Sequence, residues 1–132
     1  MSGGLNRVML LGDLAADPEV HVTRGGQTVL TLRLATSESY LDKDDVPRER
    51  VSYHHVVVVG KRADALSKVL RRGARIFVEG SLRTTAIDGR DGKKRTKTEV
   101  VATEVLFAGV VAPSPAPAEA ARPHVNESFP FR

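Results

Sequence analysis

The side chains in this sequence best suited to do chemistry are two tyrosines, Tyr40 and Tyr53, set among Arg33, Lys43, Lys61 and a basic run further on. That run, residues 83–97, holds Arg83, Arg90, Lys93, Lys94, Arg95 and Lys97 against Asp88 and Asp91. Flat apolar rings offer a face on which an unpaired base can stack, worth about 1–3 kcal/mol per base and indifferent to sequence. Cations beside the rings neutralise a phosphate backbone. Each feature alone has a plainer explanation: a single tyrosine covers a sheet edge, and a charge run is a solvated hairpin tip. Rings and cations together point to a polyanion with exposed bases.

Other chemistry is poorly served. The four histidines, His21, His54, His55 and His124, show no metal-ligand spacing. Neighbours on a strand face opposite ways, so His54 and His55 cannot share an ion without distortion. No nucleophile-elbow pattern and no phosphate-cradling glycine loop is present, and Gly25-Gly26 reads as a hairpin turn. The reading is a binding protein, not an enzyme, with no metal and no cofactor.

Composition bounds the rest. A chain of 132 residues allows one domain and a tail, and a hydrophobic share of 41% is enough for a core. No apolar run approaches the roughly 18 residues that a bilayer requires. The opening Met1-Ser-Gly-Gly-Leu-Asn-Arg7 is not a charged-then-apolar leader, so the expected location is cytoplasmic. With no cysteine, disulfides and thiolate metal sites are excluded. The net charge of +4 lies entirely on residues 1–109, where 18 Lys and Arg face 14 Asp and Glu; residues 110–132 carry two of each sign.

Stepping along the chain, hydrophobic alternation gives five strands. The first is Asn6–Asp13, apolar on both faces, as for a strand paired on both edges of a closed barrel. After Asp17-Pro18, residues 19–23 continue extended and Arg24-Gly-Gly-Gln27 turns the chain. The second strand, Thr28–Thr36, points Leu30, Leu32 and Leu34 one way and Thr31 and Arg33 the other. Ser37–Arg50 is polar, charged and broken by Pro47, and reads as a loop holding Tyr40 and Lys43. The third strand, Val51–Val59, sets His54, Val56 and Val58 against Tyr53, His55, Val57 and Val59.

A short helix follows, with Ala63, Leu66, Val69 and Leu70 on one stripe, Arg71 and Arg72 in its last turn and Gly73 as its cap. The fourth strand, Arg75–Thr84, places Ile76, Val78 and Leu82 inward, with Gly80 at a bend. The basic turn of residues 88–97 leads to a last strand, Thr96–Phe107. An all-β chain whose one short helix lies between strands 3 and 4 has the order of a five-stranded OB-fold barrel. The domain is expected over residues 1–109. Residues 110–132, rich in Ala and Pro, are expected to be a disordered tail ending near Phe129-Pro130-Phe131.

These segments resemble the bacterial single-stranded DNA-binding proteins of the homotetrameric OB-fold type. The resemblance runs through Asn6-Arg-Val-Met-Leu-Leu-Gly-Asp-Leu14, Asp17-Pro-Glu19, Leu34-Ala-Thr-Ser-Glu-Ser39 and Tyr53-His-His-Val-Val-Val-Val-Gly-Lys61. It continues in Leu70-Arg-Arg-Gly73, Val78-Glu-Gly-Ser-Leu-Arg-Thr84 and Thr98-Glu-Val-Val101, covering residues 4–107 in order. It implies a non-enzymatic protein that coats single-stranded DNA in replication, recombination and repair. A specialised paralogue of the same fold, for primosome assembly, DNA uptake or mobile elements, is the alternative.

The resemblance assigns base-stacking positions to Tyr40, Tyr53, Val59 and Ile87. At the last two the family often carries Phe and Trp, so this chain should stack less and lean more on charge, with a steeper salt dependence. The DNA-binding set adds His55 and the cations Arg33, Lys43, Lys61, Arg72, Arg83, Lys93, Lys94 and Arg95. Asn6, His54 and Phe77 are expected at a subunit interface of a homotetramer. Phe129, Pro130 and Phe131 would recruit replication and repair proteins. Here only Glu127 stands for the family's acidic patch, and Arg132 follows Phe131.

Overall fold

The structure, a computed structural model, describes residues 2–110. Six strands and one helix appear in the order β1 (Val8–Leu14), β2 (Glu19–Val22), β3 (Thr28–Leu41), β4 (Pro47–Val59), α1 (Lys61–Val69), β5 (Ala74–Asp88) and β6 (Lys94–Val110). The sheet order is β1-β5-β6-β4-β3-β2, and an added β1–β3 pairing closes it on itself. The closed barrel therefore has five strands, with β2 laid along β3 outside it. Every contact is antiparallel except β4–β6, where the helical crossover makes the pair parallel. This is the OB-fold barrel that the sequence implies, with α1 between the third and fourth barrel strands.

The core follows the alternation. Leu30, Leu32 and Leu34 of β3, Val56 and Val58 of β4, Ile76 and Val78 of β5 and Val100 of β6 are all buried. The helix delivers Ala63 into the same cluster, and Leu70, just past its end, joins it. Two glycines permit close backbone approach. A Cβ at Gly12 would lie 2.1 Å from the Ala35 carbonyl oxygen, where β1 meets β3. A Cβ at Gly80 would lie 2.1 Å from the Val101 carbonyl oxygen, beside a register shift between β5 and β6.

Several expectations need correction. Ser37–Arg50 is not a loop: β3 continues to Leu41 and β4 starts at Pro47, so the two form one long hairpin around a short turn. Pro47 is tolerated because it is the first residue of its strand. Helix α1 stops at Val69, leaving Arg71 and Arg72 beyond it, and Leu70 in extended conformation is the C-cap. Arg71 still serves the helix end, its Nη1 donating to the carbonyls of Ser67 and Leu70. Val69 is exposed and leaves the buried stripe. Leu82 shares the parity of Ile76 and Val78 yet is half exposed, because β5 has run past the end of the barrel there. Val57 faces outward but is buried, flanked by Thr31 and Val101 on the neighbouring strands. Finally, β1 pairs with β5 along most of its length but with β3 only at Asp13 and Leu14.

Candidate nucleic-acid interface

Two antiparallel hairpins extend from the barrel, β3–β4 and β5–β6. Alternation fixes what each displays. On the outer face of β3–β4, Tyr53 lies opposite Ala35, His55 opposite Arg33 and Val59 opposite Val29. Tyr53 is 55% exposed, and the residue opposite it, Ala35, is small. The Arg33 guanidinium lies over the Tyr53 ring, 4.4 Å from its centroid. His55 and Arg33 are exposed, and so is Lys61, which opens α1 just after Val59. Tyr53, His55, Val59 and Arg33 are thus brought together on one sheet face.

Tyr40 is placed elsewhere. It lies opposite Arg48, in register with Glu38–Arg50, Thr36–Ser52 and Leu34–His54. That parity belongs to the face opposite Tyr53. From Ala35 to Tyr40 the strand rises about 17 Å. The two rings are therefore not one continuous shelf: a strand touching both must pass around the hairpin. The Tyr40 ring has its own guanidinium, that of Arg50, 4.6 Å from the centroid. Arg50 is absent from the sequence-based set. Its signal is the diagonal, two residues along from the partner of Tyr40, which becomes visible only once the hairpin register is known.

The turn beyond Tyr40 is built on Asp42. Its Oδ1 accepts from the Asp44 and Val46 amides at 2.8 and 2.9 Å, and its Oδ2 from Arg48 Nε at 2.9 Å. These donors, the Val46 amide first and then Arg48, favour the carboxylate and hold its pKa below the ordinary aspartate value. Asp45 takes the left-handed conformation, φ 61°, that closes the turn, and Lys43 projects from it, exposed.

Beyond the barrel, the second hairpin carries charge without rings. Its turn is closed by the Gly89 amide donating to Lys93 O at 2.8 Å and the Gly92 amide to Gly89 O at 3.0 Å. Ile87 lies opposite Arg95, on the outer face with Arg83, and is exposed. Arg83 and Lys97 both approach Glu99 at 3.4 Å, and Arg95 approaches Asp91 at 3.4 Å. Among the described residues, Arg90, Lys93 and Lys94 have no carboxylate partner. The parallel β4–β6 pairing, Val57 to Val101, makes the outer face of β5–β6 continuous with that of Tyr53.

The remaining candidates lie apart. Arg72 sits in the turn after α1, its backbone amide donating to Asp17 Oδ1 at 2.8 Å. Asn6 clasps its own chain: Nδ2 donates to Leu82 O and Oδ1 accepts from the Leu82 amide, both at 2.8 Å, extending the β1–β5 ladder. His54 is half-buried, its Nε2 2.9 Å from Thr36 Oγ1. Phe77, half-buried, lies between Leu11 and Leu106 in register; these two and Met9 form an exposed apolar outer face. Phe129, Pro130 and Phe131 lie outside the described residues. Among the described residues, no group of three or more His, Cys, Asp or Glu is placed to hold a metal ion, and no helix is long and apolar enough to cross a membrane.

An OB barrel with an exposed ring-and-cation face defines a class of oligonucleotide-binding protein. Residues 5–108 match the single-strand binding protein family, and the chain belongs to that family. It is 39% identical over 109 residues to a single-stranded DNA-binding protein of Xylella fastidiosa, covering 83% of this chain and 66% of that one. With single-stranded DNA-binding protein 1 of Chlorobaculum tepidum the identity is 41% over 110 residues, covering 83% and 68%. The chain thus spans about two thirds of the length of these curated relatives. Among solved structures, a Plasmodium falciparum SSB in complex with ssDNA superposes with a TM-score of 0.76 at 29% identity, covering 82% of this chain and 98% of that one. A deletion mutant of the Thermus aquaticus single-stranded DNA binding protein gives 0.73 at 35% identity, covering 82% and 52%.

Proposed function

We propose that this protein binds and protects single-stranded DNA without sequence preference and without catalysis, in replication, recombination and repair. The observation that carries the reading is the Tyr53–Arg33 face, open to solvent and continuous with the basic β5–β6 hairpin. Bases stack on Tyr53 and, around the hairpin, on Tyr40. Val59 and Ile87 offer smaller apolar contacts beside them, and His55 a polar one. Arg33, Lys43, Lys61, Arg83, Lys93, Lys94 and Arg95 follow the phosphates, with Arg72 at the periphery. The likeness to a Plasmodium falciparum SSB with ssDNA supports this partner.

Residues 1–109 form the DNA-binding unit on this reading, and the protein acts in the cytoplasm at the nucleoid. It works as a homotetramer. The unpaired edge of β1 and the exposed Met9, Leu11 and Leu106 around Phe77 favour self-association, and Asn6 and His54 are the other candidates for the interface. Phe129, Pro130 and Phe131 are the contact for replication and repair proteins. The test is an electrophoretic comparison of poly-dT, duplex DNA and structured RNA at two salt concentrations. Preference for poly-dT that falls with salt supports the reading, and equal retention of duplex and poly-dT overturns it. Sedimentation of the free protein as a monomer would remove the tetramer.

A further inference from the structure

The two tyrosines of this chain are each paired with an arginine by the same device, built twice with the strands exchanged. Tyr53 is on β4 and its guanidinium comes from Arg33 on β3; Tyr40 is on β3 and its guanidinium comes from Arg50 on β4. In each case the arginine lies on the diagonal, two residues from the tyrosine's direct partner, Ala35 for Tyr53 and Arg48 for Tyr40. Arg50 has Glu38 directly opposite, yet among the described residues neither Arg50 nor Arg33 forms an ion pair within 4.0 Å. Both guanidinium groups lie over rings instead.

We infer that Arg33 and Arg50 are stacking residues: each guanidinium plane and its tyrosine form one two-layer platform for an unpaired base. The inference rests on the single-stranded DNA reading and deepens it by assigning Arg50 to the site and by giving Arg33 a planar role beyond its charge. A guanidinium is flat, delocalised and weakly hydrated, so it accepts a base on its face as an aromatic ring does. An ammonium carries the same charge with no plane. In a chain with Val59 and Ile87 at two apolar positions and only two tyrosines, these planes supply stacking area that rings do not.

The test separates plane from charge. Arg33→Lys, Arg50→Lys and the double variant are titrated with oligo-dT over a range of salt, with thermal unfolding confirming intact folds. Each lysine variant is expected to bind about threefold to tenfold more weakly. The slope of log affinity against log salt should stay that of the wild type, because the charge is kept. Affinity within twofold of wild type overturns the inference, and tighter binding would make the guanidinium a competitor for the ring. Weaker binding with a reduced slope would mean that a phosphate contact, not a stacking plane, left with the guanidinium, and would also overturn the inference. If wild-type protein fails to bind oligo-dT, the broader reading falls and this one with it. Wild-type binding with unaffected lysine variants sinks only the platform.

Discussion

The two hairpins that leave this barrel are built alike and equipped differently. The β3–β4 hairpin carries both tyrosines, each under a guanidinium, and its turn is tied by the Asp42 carboxylate. The β5–β6 arm beyond the barrel, residues 83–97, carries six basic residues and no aromatic ring, and its turn is tied by backbone hydrogen bonds between Gly89, Gly92 and Lys93 and by Asp91, whose Oδ1 accepts from the Lys93 amide. The contrast separates the two free-energy terms that hold a single strand. Stacking is short-ranged and little affected by salt; phosphate neutralisation depends steeply on it. Substitution of the tyrosines in the first hairpin should therefore change affinity and leave the salt slope alone, and substitution of the cations in the second should change both.

The largest effect is expected at the root of the basic hairpin. Gly80→Ala forces a methyl group against the Val101 carbonyl oxygen and should cost about 1–3 kcal/mol of stability, as overpacking does. Urea unfolding measures it, and an unchanged midpoint would mean that β5 and β6 shift apart freely there. Next, Tyr53→Ala should weaken oligo-dT binding by about 1–3 kcal/mol with an unaltered salt slope. A changed slope would blur the division between the hairpins. The double variant Lys93→Ala, Lys94→Ala should lower that slope by about 1.4, roughly 0.7 per phosphate contact on a single strand, and cost most affinity at low salt, with the two proteins converging as salt rises. Loss of affinity at every salt concentration alike would contradict the electrostatic role of the second hairpin.

The smallest effect concerns pH. The Asp42 pKa is lowered in the folded protein, so its contribution to the turn is fully present above the ordinary aspartate value, near 4, and disappears as pH falls through the folded value. Hydrogen exchange at the Asp44 and Val46 amides should quicken below about pH 4 in the wild type, relative to Asp42→Asn. Identical profiles for the two proteins would remove the carboxylate from the account of the turn.

The barrel was legible because its strands are half-buried and say so. Leu30, Leu32 and Leu34, or Ile76 and Val78, mark an inner face by alternation alone, and all five are buried. The hairpin arms were not legible for the complementary reason. Between Ser37 and Arg50 both faces are wet, so no apolar period exists, and the ladder is held by backbone pairing around the Asp42 turn. The same gap hid Arg50 and the face on which Tyr40 stands. Leu82 misled in the other direction, because its period is right but the barrel has ended. Asn6 gave no local sign of clasping Leu82, a contact 76 residues away in sequence.

The central claim, that bases lie against Tyr53 and Tyr40, is most directly tested by intrinsic fluorescence. The chain has no tryptophan and only these two tyrosines, so its tyrosine emission reports on the site alone. Titration with oligo-dT should quench that emission saturably, with Tyr53→Ala losing a large part of the change. Binding of oligo-dT established by electrophoretic shift, with tyrosine emission unaltered at saturation, would contradict it.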